Sequence, residues 1–232
     1  MVWTETVVEL GGLALARGGR ALAADLDLTA QGGDAVVLVG PNGSGKTSLL
    51  RVLAGLAEPA SGDLRVAVAG AEADTPRSAL VHLAGHQDGL KAALTVRQNL
   101  IFWQSYYGYE DGLPVEDALA RLGVGHVMDL PAAVLSQGQK RRVALARLLV
   151  APRPVWLLDE PTAALDVAST ERFIILVEDH RRKGGIVIAA THMPLGLADL
   201  ITLDLASFPP DGADGLSAPM DEESYWLAGA TS

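Results

Sequence analysis

Apolar runs of strand length recur along the chain: Ala35-Val36-Val37-Leu38-Val39, Ala79-Leu80-Val81-His82-Leu83, Val155-Trp156-Leu157-Leu158 and Ile186-Val187-Ile188-Ala189-Ala190. Runs of this length suit strands, and the 155–158 run a buried one. Val7-Val8-Glu9-Leu10 and Leu64-Arg65-Val66-Ala67-Val68 read as further strands. Ala24-Asp25-Leu26-Asp27-Leu28 alternates apolar and acidic positions, as a half-buried strand does. Leu203 to Ala206 adds an edge strand. Glycine pairs at 18–19 and 32–33 mark turns.

From Thr95 the period becomes helical. Thr95 and Gln98 have the spacing of a capping box, and Leu100, Ile101 and Trp103 to Tyr107 give an apolar and aromatic face. Further helices are predicted over Val115 to Leu122, from Ser136 to a stop at Pro152, and over 169–182 before Gly184-Gly185. The 90–150 segment thus reads as a helical insert between the strands of an α/β core. Beyond Phe208, Pro, Gly, Asp and Glu dominate, and 209–232 is expected to be a disordered tail in which Tyr225-Trp226-Leu227 offers a docking point.

The 232 residues suffice for one large domain or two small ones, each with a sizeable core. A net charge of −10 argues against electrostatically driven nucleic-acid binding. With no cysteine, disulfides and thiolate metal sites are excluded. Met1-Val2-Trp3-Thr4-Glu5 lacks the pattern of a signal peptide, and no apolar run approaches the ~20 residues that span a bilayer. The expectation is a protein soluble by itself, which can still sit on a membrane through a partner.

The chemistry begins at Gly40-Pro41-Asn42-Gly43-Ser44-Gly45-Lys46-Thr47, which follows G-x-x-x-x-G-K-[ST], the P-loop pattern. An apolar run precedes it, and a helical run from Ser48 to Ala54 follows, stopped by Gly55. The glycines let the backbone turn its N–H groups inward, at the positive end of a helix, where a polyphosphate is favoured. Lys46 reaches the β- and γ-phosphates, and the Thr47 hydroxyl suits Mg²⁺.

Asp159 and Glu160 follow four apolar residues. A carboxylate ending a buried strand suits the Mg²⁺ shell, and Glu160, one residue on, is placed to polarise a water for in-line attack on the γ-phosphate. Ser136 and Gln139 form a second capping box. Such a helix start, with the Ser136 hydroxyl and the Gly138 amide, is another anion site. One nucleotide cannot easily use both this site and the P-loop of the same domain, but two chains arranged head to tail can sandwich it.

Gly40 to Thr47, Gln87, Leu135-Ser136-Gln137-Gly138-Gln139, Leu157-Leu158-Asp159-Glu160, Ala164-Leu165-Asp166 and His192 stand in the order of the motifs of an ABC-type ATP-binding cassette, which the chain resembles over residues 5 to 206. The resemblance implies an α/β P-loop NTPase fold with a mixed β-sheet core, a small antiparallel β-subdomain and a helical subdomain at about 90–150, the cassette as a whole covering 1–208. It implies ATP and Mg²⁺ as ligands and a homodimer closed by ATP. Gly40 to Ser48 would hold the phosphates. Thr47, Asp159 and Gln87 would serve the metal, and Glu160, His192 and Gln87 the hydrolysis. Ser136, Gly138, Gln139 and Asp166 would complete the site of the opposite chain. Two departures stand out. Gln137 replaces a glycine of the signature, and the aromatic that many cassettes stack on adenine is missing, leaving Arg17 to stack through its guanidinium plane.

Gly85-His86-Gln87-Asp88-Gly89-Leu90-Lys91, Leu94-Thr95, Asn99-Leu100, the run from Ser136 to Arg147, and Gly184-Gly185-Ile186-Val187-Ile188 resemble one subfamily in particular, the ATPase subunit of the haem exporter of cytochrome c maturation. That resemblance implies a peripheral ATPase on the cytoplasmic face of the inner membrane, bound to a multi-spanning subunit, with no haem site of its own. The competing readings are another small-molecule or lipid exporter, and a soluble cassette acting on DNA or the ribosome. One cassette, no long heptad segment and an acidic balance weigh against the last.

Overall fold

The computed structural model describes residues 2–3, 5–72, 74–107, 112–193 and 195–210. The tail expected at 209–232 lies outside the described residues from 211 onward.

Two hairpin strands open the chain, β1 (Val7–Arg17) and β2 (Arg20–Gln31), followed by β3 (Ala35–Val39) and α1 (Lys46–Leu53). Next come β4 (Ser61–Ala67), the short α2 (Arg77–Leu80) and β5 (Val81–Ala84). Three helices follow: α3 (Val96–Tyr107), α4 (Val115–Arg121) and α5 (Gln137–Val150). Then β6 (Val155–Asp159), α6 (Val167–Arg182), β7 (Ile186–Ala190) and β8 (Leu200–Asp204) complete the order.

The strands form two sheets, an antiparallel one in the order β2-β1-β4 and a five-stranded one in the order β5-β6-β7-β3-β8. Every pairing in the larger sheet is parallel. Among the described residues the core sheet is therefore not mixed, and the antiparallel strand pairings sit in the smaller sheet, apart from an isolated bridge between Thr95 and Pro131. The reason is connectivity: β5, β6 and β7 are each reached through a helix-bearing crossover, while β1 and β2 share a tight Gly18-Gly19 turn.

The parallel sheet is covered on both faces, so β6 and β7 are buried throughout. Side-chain alternation splits the core in two. Val155, Leu157, Ile186 and Ile188 face α1 and the antiparallel sheet. Trp156, Leu158, Val187 and Ala189 face the other way, with residues of α3 to α6. On that second side Trp156 stacks on His180 at 3.9 Å, and the Trp3 amide donates to the Lys183 carbonyl at 2.7 Å. His82 and His180 are buried and meet main-chain carbonyls, so both are structural.

Parallel strands place their C-terminal ends on one edge. The turns after β3, β5, β6 and β7 therefore emerge together, and these carry Gly40–Gly45, His86 and Gln87, Glu160, and His192. That edge is where open α/β sheets bind ligands.

Candidate active site

A cleft of about 540 Å³ opens at this edge, within the range of small-molecule sites. Its floor is the turn between β3 and α1. Gly40 has φ +133°, and a Cβ there would lie 2.9 Å from the Ser44 hydroxyl, so the tight turn needs a glycine. Gly45 caps α1 in the left-handed region with no side-chain bond to the helix start. The α1 N-terminus, with its free amides and positive dipole end, thus faces the cleft wall formed by Lys46, Thr47 and Ser48. Lys46 Nζ donates to the carbonyls of Gly40 at 2.7 Å and Pro41 at 3.0 Å, which folds the side chain back over the loop.

Opposite Thr47 stands the end of β6. The Thr47 hydroxyl donates to an Asp159 carboxylate oxygen at 3.0 Å. Among the described residues no cluster of three or more His, Asp or Glu is placed to hold a metal alone. One hydroxyl and one carboxylate nonetheless fit Mg²⁺, a hard cation that takes few protein oxygens and fills its shell with water and substrate phosphates.

Glu160 follows, and its conformation is unusual. Its φ is +47°, in the left-handed region, at a cost of about 1–2 kcal/mol for an L residue. Its amide donates to the Ala190 carbonyl at 2.8 Å. The His192 amide donates to one Glu160 carboxylate oxygen at 3.5 Å, and His192 Nε2 lies 3.6 Å from the other. Both side chains line the cleft. Arg17 lines it too, at the end of β1.

The structure brings most of the expected residues to one place and holds the rest apart. Gln87 lines an adjoining cleft of about 370 Å³ that shares Thr47, His86 and Asp159 with the first. Ser136, Gly138, Gln139 and Asp166 line neither. Ser136 is the N-cap of α5, with both bonds of its capping box to Gln139 formed. Asp166 caps α6 by accepting from the Ser169 amide at 2.8 Å, and hydrogen bonding from the Ser169 side chain, then from its amide, holds the carboxyl below the usual range. A Cβ on Gly138 would stand 2.8 Å from the Ala164 carbonyl, so the two turns touch backbone to backbone. Gln137, by contrast, points its side chain away and donates to Asp88 at 3.4 Å. The glycine-to-Gln137 departure from the family pattern therefore sits where a side chain fits.

Three residues at or behind the site carry no motif signal. Arg20, across the hairpin turn from Arg17, and His86 line the cleft. Arg141 lies behind it, buried, donating to the carbonyls of Asp159 and Glu160. Burial lowers its pKa, opposed by Asp88, Asp159 and Glu160.

Next to the second cleft, α3 presents Ile101, Phe102 and Tyr106 to solvent. Lys91 lies over the Phe102 ring and Arg147 over Trp103, each 5.0 Å from the centroid. Among the described residues no helix is long and apolar enough to cross a membrane.

Comparison with known proteins agrees with this geometry. The model of the ABC transporter family matches residues 23–163. The cytochrome c biogenesis ATP-binding export protein CcmA of Rhodopseudomonas palustris (strain BisB5) is 52% identical over 188 residues, covering 81% of this chain and 92% of that protein. Its counterpart in Brucella abortus (strain 2308) is 45% identical over 210 residues, covering 87% and 96%. Among solved structures, a putative ABC transporter ATP-binding protein from Pyrococcus furiosus superposes with a TM-score of 0.72 at 22% identity, covering 88% of this chain and 99% of that one. A bacterial Atm1-family ABC exporter with ATP bound gives a TM-score of 0.72 at 22% identity, over 88% of this chain and 38% of the exporter. At such identities these likenesses show the fold alone.

Proposed function

This chain belongs to the ABC transporter family of ATP-binding cassettes, and on that premise we propose that it is the ATP-hydrolysing subunit of an exporter serving cytochrome c biogenesis. The observation that carries the reading is the 52% identity to a CcmA protein over 92% of that protein's length. The cargo implied by the resemblance of the 85–100 segment is haem, or the release of a haem chaperone.

In the proposed mechanism the α1 amides and Lys46 bind the β- and γ-phosphates, and Arg17 stacks on the adenine. Thr47 and Asp159 hold Mg²⁺, with Gln87 at its water shell. When bound there, the ion offsets charge that develops on the transferring phosphoryl group. Glu160 accepts a proton from the water that attacks the γ-phosphorus, the bond from γ-phosphorus to the bridging oxygen breaks, and ADP leaves with that oxygen. His192, 3.6 Å from Glu160, orients the carboxylate and reaches the γ-phosphate. Ser136, Gly138, Gln139 and Asp166 of a second copy close over the nucleotide. The separation of these residues from their own chain's cleft supports that reading.

ATP then favours the closed pair, and hydrolysis removes the preference. The exposed aromatic face of α3 receives the multi-spanning subunit, which holds the cassette at the cytoplasmic face of the inner membrane. The 90–150 segment acts as the helical unit of the cassette. No haem site and no nucleic-acid contact belong to this subunit.

The test is a membrane pull-down with a tagged Glu160→Gln chain and ATP, read by mass spectrometry. A multi-spanning subunit recovered with haem-handling proteins is the expected result. An unrelated permease would overturn the haem assignment, and ribosomal or DNA-bound proteins alone would overturn the exporter.

A further inference from the structure

Arg141 is 4% exposed, on a helix whose other inward positions are apolar except for Arg147. A buried guanidinium is tolerated only where partners replace its water. Its partners here are unusual in kind. Nη2 donates to the carbonyls of Asp159 and Glu160, both at 2.8 Å, and Nε donates to the carbonyl of Pro161 at 3.2 Å. Three consecutive carbonyls define the path of the chain through Glu160, where φ is +47°. On its other side, Nη1 donates to the Gly85 carbonyl at 2.8 Å and lies 3.5 Å from the Asp88 carboxylate. Asp88 accepts in turn from Gln137.

We infer that Arg141 is a positioning residue for hydrolysis: its planar fork fixes the main chain at Glu160 and ties it, through Gly85 and Asp88, to the segment carrying Gln87. The fork geometry matters, because a lysine ammonium cannot span these acceptors in one plane. Gln137 extends the tie to the first turn of α5. A shift of residues 85–88 therefore moves the guanidinium that holds Glu160, while the P-loop, which Arg141 does not touch through any bond described above, keeps its grip on phosphate. The inference rests on Glu160 as the base.

The experiment compares Arg141→Lys, Asp88→Asn and Glu160→Gln in the full-length chain. It measures kcat and KM for ATP, and the affinity for a fluorescent ATP analogue. Misplacing a reacting group by about 1 Å can cost about a hundredfold, so kcat is expected to fall about tenfold to a hundredfold in the first two variants. Analogue affinity should hold within about threefold, and a variant combining Arg141→Lys with Asp88→Asn should be no worse than the weaker single one. Either variant keeping kcat within about twofold of the parent would overturn the inference. So would parallel losses of kcat and affinity, which mark general disorder. If Arg141→Lys does not fold, Asp88→Asn decides by the same criteria. Turnover that survives in Glu160→Gln removes the base assignment itself. A dead Glu160→Gln beside unaffected Arg141→Lys and Asp88→Asn sinks this inference alone.

Discussion

Thr47 and Asp159 stand 112 residues apart in the chain, and the hydroxyl of one donates to the carboxylate of the other at 3.0 Å. The strands that lead to them, β3 before α1 and β6, are not neighbours, since β7 lies between the two. Parallel pairing brings both to the same edge all the same. Asp159→Asn keeps the shape but removes the negative charge and replaces one carboxylate oxygen with an NH₂ donor. Its Mg²⁺-dependent phosphate release should fall on the order of a hundredfold, and more Mg²⁺ should be needed for half-maximal rate. A Mg²⁺ titration of turnover checks both, and a parent-like curve would remove Asp159 from the metal site.

Glu160→Gln should retain ATP binding and lose most turnover, with the ATP-bound pair accumulating. Size-exclusion chromatography with and without ATP, beside a phosphate-release assay, reads the outcome. Undiminished hydrolysis would show that another group takes the proton.

Lys46 is held by the Gly40 and Pro41 carbonyls, in place over the loop that receives the phosphates. Hydrogen bonds to charged groups are worth about 1.5–3 kcal/mol, so Lys46→Ala should weaken ATP affinity about tenfold to a hundredfold. A nucleotide titration decides, and unchanged affinity would count against the P-loop assignment.

Burial pushes His82 and His180 down to about 3, with Arg147 and Arg153 adding to the effect at His82. An exposed histidine in the unfolded chain takes its proton near pH 6.5. As pH falls, the unfolded state therefore gains protons first. Stability should be lost from about pH 6.5 downwards, by about 1.4 kcal/mol per pH unit for each histidine, until the folded values are reached. Urea midpoints at about pH 7 and about pH 5 test this, and His180→Gln should remove about half of the difference. Equal midpoints for the parent at the two values would contradict the burial argument.

What was readable in the sequence was whatever follows a strand directly. Gly40–Thr47, Asp159-Glu160 and His192 each come after an apolar run, so their place at a strand end followed from local pattern. The capping boxes at Thr95–Gln98 and Ser136–Gln139 both form, because four adjacent residues suffice to make them. Strand direction was not readable, since burial on both faces leaves no alternation from which to infer a neighbour, and the core sheet proved parallel rather than mixed. Arg20 and His86 reach the cleft only because the β1–β2 hairpin and the turn after β5 fold towards α1. Arg141 was equally silent, because its acceptors are main-chain carbonyls, which carry no residue identity.

The cleft has a floor and a back wall, while Ser136 and Asp166 lie elsewhere on the chain. A molecule so divided would be rate-limited by encounter. Per-molecule turnover of the isolated chain should rise with protein concentration and level off only when nearly every copy has met another. Dilution would silence it without any inhibitor. Two copies held side by side on one membrane scaffold would escape that dependence, because tethering replaces bulk concentration with an effective one near the millimolar range. Assembly itself would then act as the on-switch, and a cell making cassette without scaffold would consume little ATP.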